Sequence, residues 1–192
     1  MAEVKDYLRF LAEAGVSGFD CTEASLKTLS AWDEPLEQDK PVPPASAPPG
    51  PESLDALRAD LGDCQGCKLG KIRRNLVFGT GNPSARLMFV GEGPGHEEDL
   101  AGEPFVGKAG QLLTKIIQAI HMTREDVYIC NIVKCRPPEN RNPEPEEIHS
   151  CLPWLNRQIQ AVGPEFICAL GSVAAQALLQ TRSPVSELRG RF

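Results

Sequence analysis

The chain has 192 residues, 41% of them hydrophobic and 24% charged, enough for one compact domain with a true core and some peripheral sequence, and incompatible with disorder throughout. Its longest apolar runs, such as 87–90 and 166–170, fall far short of the roughly 20 residues of a membrane helix, and Met1 to Phe10 lacks the apolar stretch of a secretory signal, so a cytoplasmic protein without membrane contact is expected. The formal charge of −6 is uneven, about −7 over residues 1–60 and about +1 over 61–192, which leaves room for a nucleic-acid surface on the later part despite the low pI.

Residues 3 to 16 put Val4, Tyr7, Leu8, Leu11 and Ala12 on one stripe before Gly15, the pattern of an amphipathic helix and its stop. Seven prolines between Pro35 and Pro51 then describe an extended linker that cannot bury a core. The resulting division is an acidic helical extension over 1–34, a Pro-rich linker over 35–52 and the main domain over 53–192. Ser53 ahead of Leu54, Leu57 and Leu61 predicts an N-capped helix that delivers the chain to Cys64 and Cys67.

Farther on, near-continuous apolar runs at 87–91, 127–133 and 166–171 read as strands buried on both faces. Helical patterns at 110–120, 144–162 and 173–179 lie between or after them, the second with Pro153 near its middle or at a break. This alternation predicts an α/β fold, three layers (α/β/α) around a short central parallel sheet. In such sheets ligands sit beyond the carboxyl ends of the strands, which directs attention to the segments starting at Gly91, Asn131 and Gly171.

After the first strand stands Gly91-Glu92-Gly93-Pro94-Gly95, where three missing β-carbons let main chain approach a ligand closely. A dinucleotide fingerprint needs glycine where His96 stands, and the stretch from Gly102 to Lys108 matches a phosphate loop only until Ala109 replaces the magnesium-binding hydroxyl. Both nucleotide readings fail on those positions. Seven cysteines without an export signal point to ligation rather than disulfides. Cys64 and Cys67 form a two-residue knuckle, Cys135 and Cys151 a wider pair, and spacing alone leaves zinc and an iron–sulfur cluster both open. Cys130 and Cys168 fall inside strand patterns and read as buried apolar thiols.

Three blocks now carry a family resemblance: Gly91 to Gly95 with Glu98-Asp99; Gly102-x-Pro104-Phe105-Val106-Gly107-x-Ala109-Gly110-Gln111-Leu112-Leu113; and Asn131-x-Val133-Lys134-Cys135-Arg136-Pro137-Pro138-x-Asn140-Arg141-x-Pro143. In this order they closely resemble the family-4 uracil-DNA glycosylases, over roughly residues 54–192. The resemblance implies the α/β/α fold and a [4Fe-4S] cluster on Cys64, Cys67, Cys135 and Cys151. It also implies hydrolysis of the bond between uracil and deoxyribose in single- or double-stranded DNA as the first step of base excision repair. Phe105 is then the platform on which the flipped base stacks. Asn131 reads the base edge, donating to O4 and accepting from N3–H, a pattern cytosine reverses. Gly91, Glu92 and Gly93 fall where the family contacts the base and positions the hydrolytic water, Glu92 either as a base or by orienting that water, and Glu97 lies close enough in sequence to join them.

Lys68, Lys71, Arg73 and Arg74 beside the first cysteine pair, with Lys134, Arg136 and Arg141 around the third cysteine, are expected to form a basic patch for phosphates. Family members carry a later strand and a His-Pro loop, whereas His96, His121 and His149 do not precede proline. The expectation is therefore a C-terminally truncated domain lacking its last strand, with weak or no glycosylase activity. The N-terminal extension is expected to tether a protein partner. Competing expectations are a non-catalytic iron–sulfur protein that binds DNA or regulates, and a zinc-bound structural module.

Overall fold

The computed structural model describes residues 52–188. The helix expected over 3–16, the linker through residue 51 and residues 189–192 lie outside the described residues. Helix α1 (Leu54–Leu61) begins where Ser53 Oγ accepts from the Ala56 N–H at 3.1 Å, and its Leu57 and Leu61 pack with Phe78 and Trp154. Strand β1 (Thr80–Gly81) and strand β2 (Leu87–Gly91) follow, then helix α2 (His96–Ala101) and helix α3 (Lys108–Ala119). Strand β3 (Tyr128–Asn131), helix α4 (Pro145–Val162), strand β4 (Phe166–Ala169), helix α5 (Ser172–Leu179) and the single turn α6 (Val185–Leu188) complete the described chain. Among the described residues no helix is long and apolar enough to cross a membrane.

The sheet order is β1-β3-β2-β4, with β2 parallel to both β3 and β4 and only the two-residue β1 antiparallel to β3. The parallel pairing is the expected one, but β4, expected to be buried on both faces, is an edge strand with Phe166 and Ile167 exposed; the antiparallel β1 makes the sheet mixed. Pro153 lies within α4 and does not break it, the first of the two expected alternatives.

Alternation along the strands sorts the core into two sides. Met88, Val90, Tyr128 and Cys130 pack with Leu155 and Val162 of α4 and Ala174 of α5, while Phe89 and Ile129 pack with Leu113 and Ile117 of α3. The sheet is thus sandwiched between helical layers. Two residues beyond Phe89 is Gly91, and two beyond Ile129 is Asn131. Both therefore face the α3 side, and they are direct partners in the β2–β3 register. The ladder runs on past the strand ends through Ile132 N–H to Gly91 O at 2.8 Å and Val133 N–H to Glu92 O at 3.1 Å. This fixes the first residues of both loops.

Candidate active site

At the carboxyl ends of β2 and β3 three side-chain positions meet at one point. A β-carbon placed on Gly91 would stand 2.5 Å from Asn131 Oδ1 and 2.5 Å from Phe105 Cζ. Ring and amide oxygen are therefore no more than 5.0 Å apart, on the sheet side their registers dictate. Asn131 is only 1% exposed, yet its Oδ1 has no hydrogen-bond partner. A buried carbonyl left in that state costs about 1–3 kcal/mol, which is sustained where a ligand supplies the missing donor.

Phe105 reaches this point from a left-handed backbone, φ 55°, a conformation that a residue with a β-carbon adopts only under constraint, at a cost of roughly 1–2 kcal/mol. The constraint is visible on both sides. Arg124 donates to Pro104 O at 2.9 Å and to Phe105 O at 3.2 Å, and Glu98 accepts from the N–H groups of Val106 at 3.0 Å and Gly107 at 2.9 Å. The second oxygen of Glu98 accepts from Gly95 N–H at 3.1 Å, so one carboxylate joins the glycine-rich loop to the Phe105 loop. Gly110 lies so close behind the Phe105 carbonyl that no β-carbon fits there.

Glu92 stands next to Gly91 at the end of β2, and partial burial holds its carboxyl above the ordinary range. Gly93 packs against Val133, where a β-carbon would come within 2.7 Å of Cγ2. Glu97 is exposed on the first turn of α2, its Cγ 3.4 Å from the position of a β-carbon on Gly107. Gly91, Phe105 and Asn131 are thus brought together, Glu92 adjoins them in the chain, and Glu97 lies against the Phe105 loop. His96 Nδ1 is 3.0 Å from Arg136 Nη1, a contact between the loops after β2 and β3.

Sequence reasoning assigned no role to Glu98 or Arg124, and it grouped Lys134 with a surface patch for phosphates, whereas that residue is only 1% exposed. Glu98 accepts from the N–H of the N-cap Gly95 at 3.1 Å, one half of a capping box that glycine, having no side chain, cannot complete, so the usual sequence signature is missing. Arg124 sits in a connecting segment and carries no signature either.

On the other side of β3, Cys64, Cys67, Cys135 and Cys151 line one cavity, with Lys134 and Trp154 in its wall. They arrive from the segment after α1, the loop after β3 and the second turn of α4. Gly66 N–H donates to Cys64 Sγ and Arg73 Nη1 to Cys135 Sγ, each at 3.4 Å. Burial pushes the Cys135 thiol up to about 11 against the opposing pull of Arg73, and burial likewise raises Cys151. Among the described residues no three His, Cys, Asp or Glu side chains are grouped so as to hold a metal ion. Cys130 lies in the core on the α4 side, and Cys168 is partly buried on the α3 side.

Of the seven bases expected to form a phosphate patch, three make internal ion pairs and a fourth, Lys134, is buried. Lys68 pairs with Glu144 at 2.5 Å, Arg141 with Glu147 at 2.7 Å and with Glu144 at 3.3 Å, and Arg73 with Asp63. Charge sign was legible along the chain, but the acids at the start of α4 and Asp63 pair with three of the bases that spacing had grouped for phosphates.

Comparison with known proteins places these features. The family described as "Uracil DNA glycosylase superfamily" matches residues 78–191. The type-4 uracil-DNA glycosylase of Archaeoglobus fulgidus is 52% identical over 125 residues, which cover 65% of this chain and 63% of that protein. Those of Saccharolobus solfataricus and Thermotoga maritima are 46% and 45% identical over 73% and 72% of this chain, and 68% and 73% of their own lengths. The chain thus spans between three fifths and three quarters of these curated relatives.

Proposed function

The chain belongs to the uracil-DNA glycosylase superfamily, and on that footing we propose that it hydrolyses the N-glycosidic bond of uracil in DNA, opening base excision repair without cutting the backbone. The observation that carries this reading is the orphaned Oδ1 of Asn131, buried beside the Phe105 ring and the bare main chain of Gly91. A uracil extruded from the helix offers N3–H to that oxygen. Cytosine offers a lone pair at the same atom, so the fixed acceptor discriminates by leaving two acceptors opposed. Phe105 supplies the stacking face, and Gly91 makes the space by having no side chain.

Scission develops positive charge on the sugar and negative charge on the departing base. Main-chain donors of the loop from Gly91 to Gly95 support the base oxygens as that charge grows. Glu92, ionised, orients or deprotonates the attacking water and opposes the cationic sugar.

The cysteine set fits a [4Fe-4S] cluster: four thiols from three segments share one cavity and receive N–H donors from Gly66 and Arg73. Such a cluster would be held by Cys64, Cys67, Cys135 and Cys151 and would supply a covalent tie between the three segments.

Single-turnover release from a single-stranded oligonucleotide tests the function. Release of uracil but not cytosine is expected, with a fall of at least about 100-fold in Asn131→Ala, the scale of a lost transition-state donor or acceptor. Equal rates for parent and variant, or no release by the parent under single-turnover conditions, remove the reading.

A further inference from the structure

Lys134 is 1% exposed and is the largest fully buried side chain among the described residues. Its Nζ donates to the main-chain oxygen of Asn131 at 2.7 Å. The same residue forms part of the wall of the cavity that Cys64, Cys67, Cys135 and Cys151 line. Its main-chain oxygen is engaged by Val77 N–H at 2.8 Å, so both the backbone and the tip of the residue are fixed. No carboxylate among the described residues forms an ion pair with it.

An ammonium removed from water needs an anion as well as hydrogen-bond acceptors, and one carbonyl meets only one of its three donors. The anionic groups within its surroundings are the cysteine sulfurs once they ligate, since ligation requires thiolates. Four thiolates on a [4Fe-4S] core leave a net negative charge next to the lysine.

We propose that Lys134 is a positioning residue that couples the two halves of the site: it balances the charge of the ligated cysteines at one end and anchors the main chain of Asn131, and with it the base-reading amide, at the other. This rests on the functional reading above, and accounts for how a cluster without redox work in hydrolysis bears on base recognition. Filling the cysteine cavity and filling the base recess then stabilise each other, because linkage is reciprocal.

The experiment uses the cluster-containing protein. Its iron content and uracil release test the functional reading; the comparisons that follow test the coupling alone. In Lys134→Met, of similar length but uncharged, iron loss to EDTA should quicken about tenfold or more, the usual scale for a lost outer-shell partner. Inhibition by free uracil should weaken about tenfold. Lys134→Arg should hold iron within about threefold of the parent, because it keeps the charge. In the unaltered protein, saturating uracil should slow iron loss to EDTA. Iron retention or uracil inhibition left at the parent's level in Lys134→Met overturns the proposal. Should that variant fail to fold, iron loss from the parent that ignores uracil overturns it equally.

Discussion

Gly91 marks the centre of the recess by what it lacks. A β-carbon there would collide with Asn131 Oδ1 and the Phe105 ring, each at 2.5 Å, and neither can withdraw, because Asn131 is buried in the ladder and Phe105 is held in its left-handed backbone. Gly91→Ala should therefore weaken inhibition by uracil by about 100-fold while costing about 1–3 kcal/mol of stability, the usual range for overpacking. Titration with uracil alongside a denaturant melt reads both, and an alanine variant that binds uracil like the parent refutes the convergence. Glu92 makes a separate prediction through pH. Burial favours its neutral form, whereas the role proposed for it requires the ionised one, so the acid limb of kcat/KM should lie above the ordinary carboxylate range near 4.5 and vanish in Glu92→Gln. The sign on stability is opposite. A carboxyl raised in the folded state favours folding most where it is protonated and loses that advantage as pH rises through its folded value. Glu92→Gln should thus be at least as stable as the parent at neutral pH although slower, and a glutamine variant that is both slower and less stable would make Glu92 a structural residue.

Between residue and domain stands the loop that carries Phe105, and its geometry depends on α2, a six-residue helix whose Glu98 gathers N–H groups from both flanking loops. Glu98→Ala removes a charged acceptor from three donors, a loss of about 2–4 kcal/mol. It should free the Val106 and Gly107 amides to exchange with solvent and lower kcat/KM together with them. Parent-like protection at those two amides would show that Arg124 alone holds the loop. Legibility differed among elements for a physical reason. Strands β2 and β3 announce themselves because both faces are buried, and Asn131 stands out because an amide at the end of such a run must answer to something. Helix α2 reads His-Glu-Glu-Asp-Leu-Ala, too short and too polar for periodicity to register, and β1 is two residues long. The left-handed turn at Phe105 was not legible either, since no local residue asks for it; it is imposed by Arg124 and Glu98 from outside.

Across the whole molecule, the three segments that bear the cysteines are joined by an ionic centre independent of any cluster. Glu147, 1% exposed on the first turn of α4, accepts from Arg141 at 2.7 and 2.9 Å and from the Glu144 N–H at 2.7 Å, with Lys68 at 3.8 Å. Lys68 follows Cys67, Arg141 lies on the loop after Cys135, and Glu147 precedes Cys151 by one helical turn, so a single carboxylate holds the frame of the cavity. Lys68 and Arg141, two of the bases that looked from their spacing like a phosphate surface, thus serve to gather the cysteine-bearing segments. The hydrogen bonds from Arg141, opposed by burial and aided by Glu144 N–H and Lys68, hold the Glu147 carboxyl below its ordinary range. Its contribution is therefore complete above the unfolded value near 4.5 and is lost as pH falls through the folded one. Glu147→Gln should cost about 2–4 kcal/mol at neutral pH, a drop in Tm of roughly 5–15 °C. The gap between parent and variant should narrow steadily below the unfolded value as the parent carboxylate is itself protonated. Melts of both proteins across this range decide the matter: a gap that stays constant into acid would mean that Glu147 acts through its shape, and that the frame around the cysteines does not depend on its charge.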